Sequence, residues 1–310
     1  MPTRLNTRQS LEHGNYEWIH LTRNQPQDID YLKRKFSFHP TDLRDTLPPL
    51  QRHKLVIRDE YLFMILLFPI FNRKTRIVTS AELDFFILPQ RLITINDGSL
   101  PVVESLFAEI RKDKKRKAGI FEDGVTGLVH EIINAQFDEL FPMLVHVSSD
   151  IDEVEKDLFK SDQSSTIIEV LRIKTNIVNI RKAMQGHKRV IRELINKGVK
   201  KVPVIRKAGF EDLIERSKEF WDTVELQRDT INALHETHSS LIENRTNDII
   251  KTLTMFSVII FPMTLVATLF AMDVGGMPFK NEPYGFFLVL FFLALVAFGM
   301  FAFFKKRRWI

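Results

Sequence analysis

Asn247, Thr254, Phe261 and Thr268 stand seven residues apart, and Ile250, Ser257, Thr264 and Ala271 repeat that interval three residues on. In a helix the two series share one face. That face carries hydroxyls and an amide within an otherwise apolar stretch. Such groups do not ionise. Their chemistry is contact with water, with a hydrated ion or with a neighbouring helix. Two readings stand: the stripe packs helices through small residues, or it lines a water-filled path. One helix cannot enclose a path, so the second reading requires several copies around an axis. Met272 and Asp273 follow the stripe, and Glu282 lies in the same short connection.

Other groups could hold metal. His235 and His238 stand at i, i+3, a spacing that suits a transition metal, although an exposed or interhelical pair is the plainer reading. Asp212, with Glu211 and Asp222, could join a neighbouring copy in an intersubunit metal site or form a solvated face. Asp248 and Lys251 are spaced for an i, i+3 ion pair. No catalytic set is present: there is no nucleophile elbow and no phosphate-binding glycine loop, and Gly275-Gly276 beside Pro278 reads as a turn. An enzyme is not expected, and neither is a covalent cofactor.

The elements that position these residues divide the chain sharply. Up to about residue 248 it is rich in charge; from Ile249 onward it is almost all apolar. Residues 249–272 contain one charged side chain, Lys251, and residues 285–304 contain none. Each stretch is long enough to cross about 30 Å of hydrocarbon as a helix. The tail Lys305-Lys-Arg-Arg308 is basic, whereas the connection 273–284 holds Asp273, Lys280 and Glu282. The positive-inside rule then puts both termini in the cytoplasm. The first nine residues have no apolar run behind their arginines, so insertion is expected through the C-terminal spans. Pro262 sits within the first span and removes one helix hydrogen bond. The chain has no cysteine, which excludes disulfides and thiolate metal sites. The basic run Arg111–Lys117 reads as a solvated loop, and no nucleic-acid partner is expected.

Three segments read as strands: Tyr16–Leu21, Leu55–Phe71 and Ala81–Asn96. Phe38–Asp45 reads as a loop opening a short helix, and Pro101 suits a helix N1 position. From about Glu122 the pattern is helical throughout. Ser149 is placed to cap a helix in which Ile151, Val154 and Leu158, then Ile167, Leu171 and Val178, share a buried face. Pro203 is placed to open the last helix. No strong breaker separates Phe210 from Phe261, so one helix should run from the charged domain into the first span. About 65 residues at 1.5 Å each give roughly 100 Å. Its apolar seam (Phe210, Leu213, Ile214, Trp221, Val224, Ile231, Leu234, Leu241, Ile242) suits a bundle of identical helices.

The run Asn247-Asp-Ile-Ile-Lys-Thr-Leu-Thr254, then Phe261-Pro-Met-Thr264, then Phe270-Ala-Met-Asp-Val-Gly-Gly-Met-Pro278, before a second span and a basic tail, resembles the CorA metal-ion transporters. Val274–Pro278 looks most like the ZntB side of that family. Weaker likeness extends upstream through His39–Asp45, Gln51–Leu55, Tyr61–Phe63 and Leu83–Leu88 to the helical Asp150–Leu158 and Arg181–Leu194. The resemblance implies a homopentamer whose funnel-shaped cytoplasmic domain ends in a stalk helix that becomes the pore-lining span. It implies transport of divalent cations, chiefly Mg²⁺, or Zn²⁺ in the ZntB branch, with cytoplasmic metal as regulator. The family's Gly-Met-Asn signature falls on Ala271, Met272 and Asp273. An asparagine ring offers neutral carbonyls to a hydrated ion, which suits reluctantly dehydrating magnesium. Asp273 offers carboxylates that repel one another and attract cations or protons. Cation attraction is retained, whereas magnesium selectivity does not carry over.

The expectation is therefore an α+β cytoplasmic domain, a sheet layer with long helices, followed by a two-helix transmembrane hairpin. Residues 1–120 form the α/β part, 121–248 the helical arms and stalk, and 249–310 the hairpin, external loop and tail. The chain should sit in the inner membrane as a multi-pass pentamer passing divalent cations, with the path along Asn247–Thr268 and its outer mouth at Asp273. The alternative is a membrane-anchored scaffold or sensor of the same architecture without transport.

Overall fold

The computed structural model describes residues 8–22, 26–158, 163–198, 202, 207–272 and 283–307. Two compact units divide at His235/Glu236. The first is built on a sheet of six strands, β1 (Arg8–His13), β2 (Tyr16–Thr22), β3 (Lys54–Ile57), β4 (Leu62–Asn72), β5 (Ile77–Ile87) and β6 (Arg91–Asn96). Their order is β1-β2-β6-β5-β4-β3, with β2 and β6 parallel and every other pair antiparallel. Helices α1 (Pro26–Lys35) and α2 (Pro40–Asp45) lie in the β2–β3 connection, and α3 (Pro101–Lys112), α4 (Lys114–Glu122), α5 (Gly124–Asp157), α6 (Gln163–Met184) and α7 (His187–Lys197) follow the sheet.

Alternation along the strands gives the sheet two apolar faces. Leu62, Met64, Leu66 and Phe68 of β4 join the larger core with residues of α3, α5, α6 and α7. Phe63 and Ile65 join Phe86, Ile93 and Ile95 in a smaller core with Leu32 and Leu43 of α1 and α2. Burial on both faces explains why β4 reads as an unbroken apolar run.

The sequence expectations needed correction at several points. Leu55–Phe71 is two strands, because the chain turns at Arg58–Tyr61, where the Arg58 amide donates to the Tyr61 carbonyl at 2.9 Å. Ala81–Asn96 is likewise the end of β5 and all of β6, turning through Leu88-Pro89-Gln90. Strand β1 was not expected; it pairs with β2 across Gly14-Asn15, and Gly14 takes φ +57 as such a tight turn requires. The basic run is helical, spanning the end of α3 and the start of α4, where the Asp113 side chain caps the Lys115 and Arg116 amides. Ser149 caps nothing. It lies inside α5, whose buried stripe Leu144, Val147, Ile151 and Val154 continues straight past it. Leu171 and Val178 are exposed, because α6 buries Val170, Ile173, Ile177 and Ile180 instead. Pro203 lies outside the described residues. The expected N1 proline of α3, Pro101, is found there.

One buried polar group ties the smaller core together. Asp42 of α2 accepts from Arg58 Nε at 2.9 Å, Arg58 Nη2 at 2.7 Å and the Tyr61 hydroxyl at 2.8 Å. Burial alone would raise its pKa, but the guanidinium and phenol outweigh burial and the net shift is downward.

The last two helices are α8 (Lys207–Ala271), continuous over 65 residues, and α9 (Gly285–Lys306). Phe210, Leu213, Phe220, Val224 and Ile231 of α8 are buried in the first unit, whereas Ile242 is exposed. The second unit holds the remainder of α8 and α9. Its helices are long and apolar enough to cross a membrane, and their most apolar windows are 6% and 0% buried. A soluble protein's core helix would be covered; these expose Phe, Leu and Ile nearly all round, as lipid-facing helices do.

Candidate cation pathway

The apolar end of α8 has two distinguishable faces. Met255, Ile259, Pro262, Met263 and Val266 are half-buried, while Asn247, Ile250, Thr254, Phe261, Thr264, Thr268 and Ala271 are exposed. At 100° per residue the stripe from Asn247 to Ala271 spans an arc of about 120°, centred roughly 160° from the middle of the half-buried face. The stripe is therefore turned away from the covered side of its helix. Ser257 is its one half-buried member. A groove of about 470 Å³ borders the stripe, lined by Thr264, Ala267 and Thr268 and, from α9, by Leu293.

Each hydroxyl of the stripe bonds its own backbone. Thr254 Oγ1 donates to the Ile250 carbonyl at 2.7 Å, Ser257 Oγ to Leu253 at 2.9 Å and Thr264 Oγ1 to Ile260 at 2.9 Å. Thr268 Oγ1 is shared between the Thr264 and Leu265 carbonyls, each at 2.9 Å. With its proton committed, each oxygen retains only lone pairs to present outward. The four hydroxyls of the stripe are thus a row of uncharged acceptors. The residue types announce hydroxyls, but where their protons go is visible only in the structure.

Toward the charged end of the helix, Lys251 Nζ donates to Asp248 Oδ1 at 3.1 Å, as the spacing predicts. Asp212 is exposed. His238 is buried and His235 half-buried. Among the described residues no three His, Cys, Asp or Glu side chains converge to hold a metal, so His235, His238 and Asp212 are not brought together within one chain. Met272 closes the helix and is exposed. Asp273 and Glu282 lie outside the described residues.

The chain is similar to known proteins over most of its length. The chain is 25% identical over 299 residues to the cobalt/magnesium transport protein CorA of Thermotoga maritima, an alignment covering 94% of this chain and 83% of that protein. Its fold is similar to the complete structure of the CorA magnesium transporter from Methanocaldococcus jannaschii, with TM-score 0.85 and 22% identity over 97% of this chain and 94% of the other. It also resembles the ZntB cytoplasmic domain from Vibrio parahaemolyticus, with TM-score 0.57 and 14% identity over 75% of this chain and 90% of that domain. Residues 13–306 match the family described as CorA-like Mg²⁺ transporter protein. With nearly the whole length matched and two bare apolar helices at the C-terminal end, the chain is a membrane protein of the CorA family.

Proposed function

We propose that the chain assembles as a homopentamer in the cell's inner membrane and passes divalent metal cations along the exposed stripe of α8. The observation that carries this reading is the row of hydroxyl oxygens whose protons are turned into their own helix. Waters bound to a divalent cation point their hydrogens outward and need acceptors. Thr254, Ser257, Thr264 and Thr268 supply them without adding charge that would trap the ion. Asn247 continues the path inward, Ile250, Phe261, Ala271 and Met272 narrow it, and Asp273 draws cations to the outer mouth. Five copies turn the stripes toward a common axis and leave α9, which has no polar side chain before Lys305, against lipid.

The basic tail supports a cytoplasmic position for both termini. Residues 1–120 then serve as a cytoplasmic α/β domain, 121–248 as arms and stalk, and 249–310 as the membrane hairpin. The exposed carboxylate of Asp212, and His235 with His238, are where metal from a neighbouring subunit's side would act as regulator. The Thermotoga maritima relative is named for cobalt and magnesium transport, which supports a divalent cargo. Zn²⁺ joins Mg²⁺ as a candidate cargo on the likeness of Val274–Pro278 to ZntB. The family is one of transporters, which is not an enzyme class.

Purified protein in liposomes tests this. Mg²⁺, Zn²⁺, Co²⁺ or Ni²⁺ should enter down a gradient, measured by an internal dye with and without a pH difference. Asp273→Ala should slow entry by about tenfold or more, as loss of a steering charge does. Absence of flux for all four ions would favour a scaffold or sensor of the same architecture.

A further inference from the structure

Asp84 lies in the middle of the sheet, where its role is not explained by packing. It pairs with Ile65 of β4 and Ile95 of β6, so its side chain shares their face, the one that forms the smaller apolar core. It is 1% exposed, and no amide, hydroxyl, guanidinium or ammonium donates to either carboxyl oxygen among the described residues; the group within hydrogen-bond reach is the Glu82 carboxyl. Glu82 precedes it by two residues on the same face, is also buried, and accepts the Gln51 amide. The other charged groups that act on Asp84 are Lys54 of β3 and Asp45 of α2, and these two are already ion-paired. If every group were ionised, one ammonium would face three carboxylates, two of them, Asp84 and Glu82, buried, while Lys54 and Asp45 keep partial access to water. No set of three ligands converges on a metal among the described residues.

We propose that Asp84 and Glu82 form a proton-binding site in the cytoplasmic domain, the two carboxyls holding one proton between them at neutral pH. Burial, then the neighbouring Glu82 charge, pushes Asp84 well above the usual carboxylate range, and burial raises Glu82 as well. The sign follows from linkage. A carboxyl raised in the folded state binds more proton there than in the unfolded chain. Its stabilisation is complete below the unfolded pKa and is lost as pH rises through the folded one. Releasing the proton places two carboxylates side by side beneath α2 and beside the Gln51 segment. The cytoplasmic domain thereby changes charge and loosens locally when the cytosol turns alkaline.

Infrared spectroscopy of the full-length protein in detergent micelles reads this directly. At neutral pH the wild type should show the carbonyl band of a buried protonated carboxylic acid, lost in Asp84→Asn and titrating away as pH rises. Glu82→Gln removes the like charge and should move that titration to lower pH. Should Asp84→Asn fail to fold, wild-type protein with ¹³C-carboxyl aspartate supplies the control, since the same band should shift to lower frequency. Absence of the band, a band indifferent to aspartate labelling, or a titration unmoved by Glu82→Gln would overturn the proposal. Loss of the band on adding Mg²⁺ at neutral pH would also overturn it, making the pair a cation site.

Discussion

In the sheet domain Asp42 of α2 is enclosed with a guanidinium and a phenol drawn from 16 and 19 residues away, whereas in the membrane end of α8 Thr254, Thr264 and Thr268 lie open with their protons returned to their own helix. The first arrangement is satisfied only when distant elements meet, so it helps to specify the fold. The second is satisfied within one turn of helix and asks nothing of the rest of the chain. Its outward lone pairs are therefore free to serve something else. A polar group that folding does not need, placed on the uncovered face of an apolar helix, is better explained by what passes it than by what packs on it.

The largest expected effect comes from one truncation made in both regions. Phe63 is fully buried in the smaller core, while Phe261 is 74% exposed on the stripe. Phe63→Ala should cost about 3–5 kcal/mol in denaturant unfolding. Phe261→Ala should cost below about 1 kcal/mol yet alter divalent flux in liposomes. Equal losses of stability would show that the stripe is as much a part of the fold as the buried core.

Asp42→Ala comes next, at about 2 kcal/mol in the same unfolding measurement, since Tyr61 loses a buried acceptor while Arg58 can still reach water. The contribution has a pH signature. Arg58 and Tyr61 hold the Asp42 pKa below its ordinary value, so its stabilisation is present above the unfolded pKa and is lost as pH falls through the depressed one. The variant should be less sensitive to acid than the wild type in that range.

A smaller effect at neutral pH comes from two buried histidines. His53 and His187 meet edge to face at 4.9 Å, with the Phe68 ring at 4.9 Å from His187. Burial lowers His53 to about 4, with Arg189 adding to the effect, and lowers His187 well below its ordinary range. Both are neutral when folded, so stability should be complete above the unfolded value near 6.5 and decline as pH falls from there toward about 4. His187→Phe should change the neutral-pH stability by only about 1 kcal/mol and flatten that decline, read as melting temperature against pH.

The sequence reveals some of this architecture and conceals the rest for physical reasons. The long helix is legible because no proline or glycine interrupts Phe210–Phe261, and the two spans are legible because apolar composition is local. The turn at Arg58–Tyr61 shows in the sequence only as the charged interruption Arg58-Asp-Glu60, which reads as part of one strand because apolar residues continue on both sides of it. The exposed face of α6 is concealed because its apolar residues would permit burial on either side, and only the sheet selects Ile173 and Ile177 over Leu171 and Val178. The stripe on α8 is visible as a period, but not its turning away from the half-buried face. Asp42 with Arg58, and Asp84 between Ile65 and Ile95, carry no sequence signal at all, since their meaning depends on strands that meet only in the fold.

If α8 lines the cation path, its stripe faces water while α9 faces lipid. Because the chain contains no cysteine, single substitutions report cleanly. Thr264→Cys and, on the 73% exposed Phe298 of α9, Phe298→Cys should be compared in liposomes carrying Mg²⁺ flux. A charged, membrane-impermeant thiol reagent should modify Thr264→Cys and block its flux, leaving Phe298→Cys unmodified and conducting. An inert Thr264→Cys that still conducts in the presence of the reagent would contradict the account.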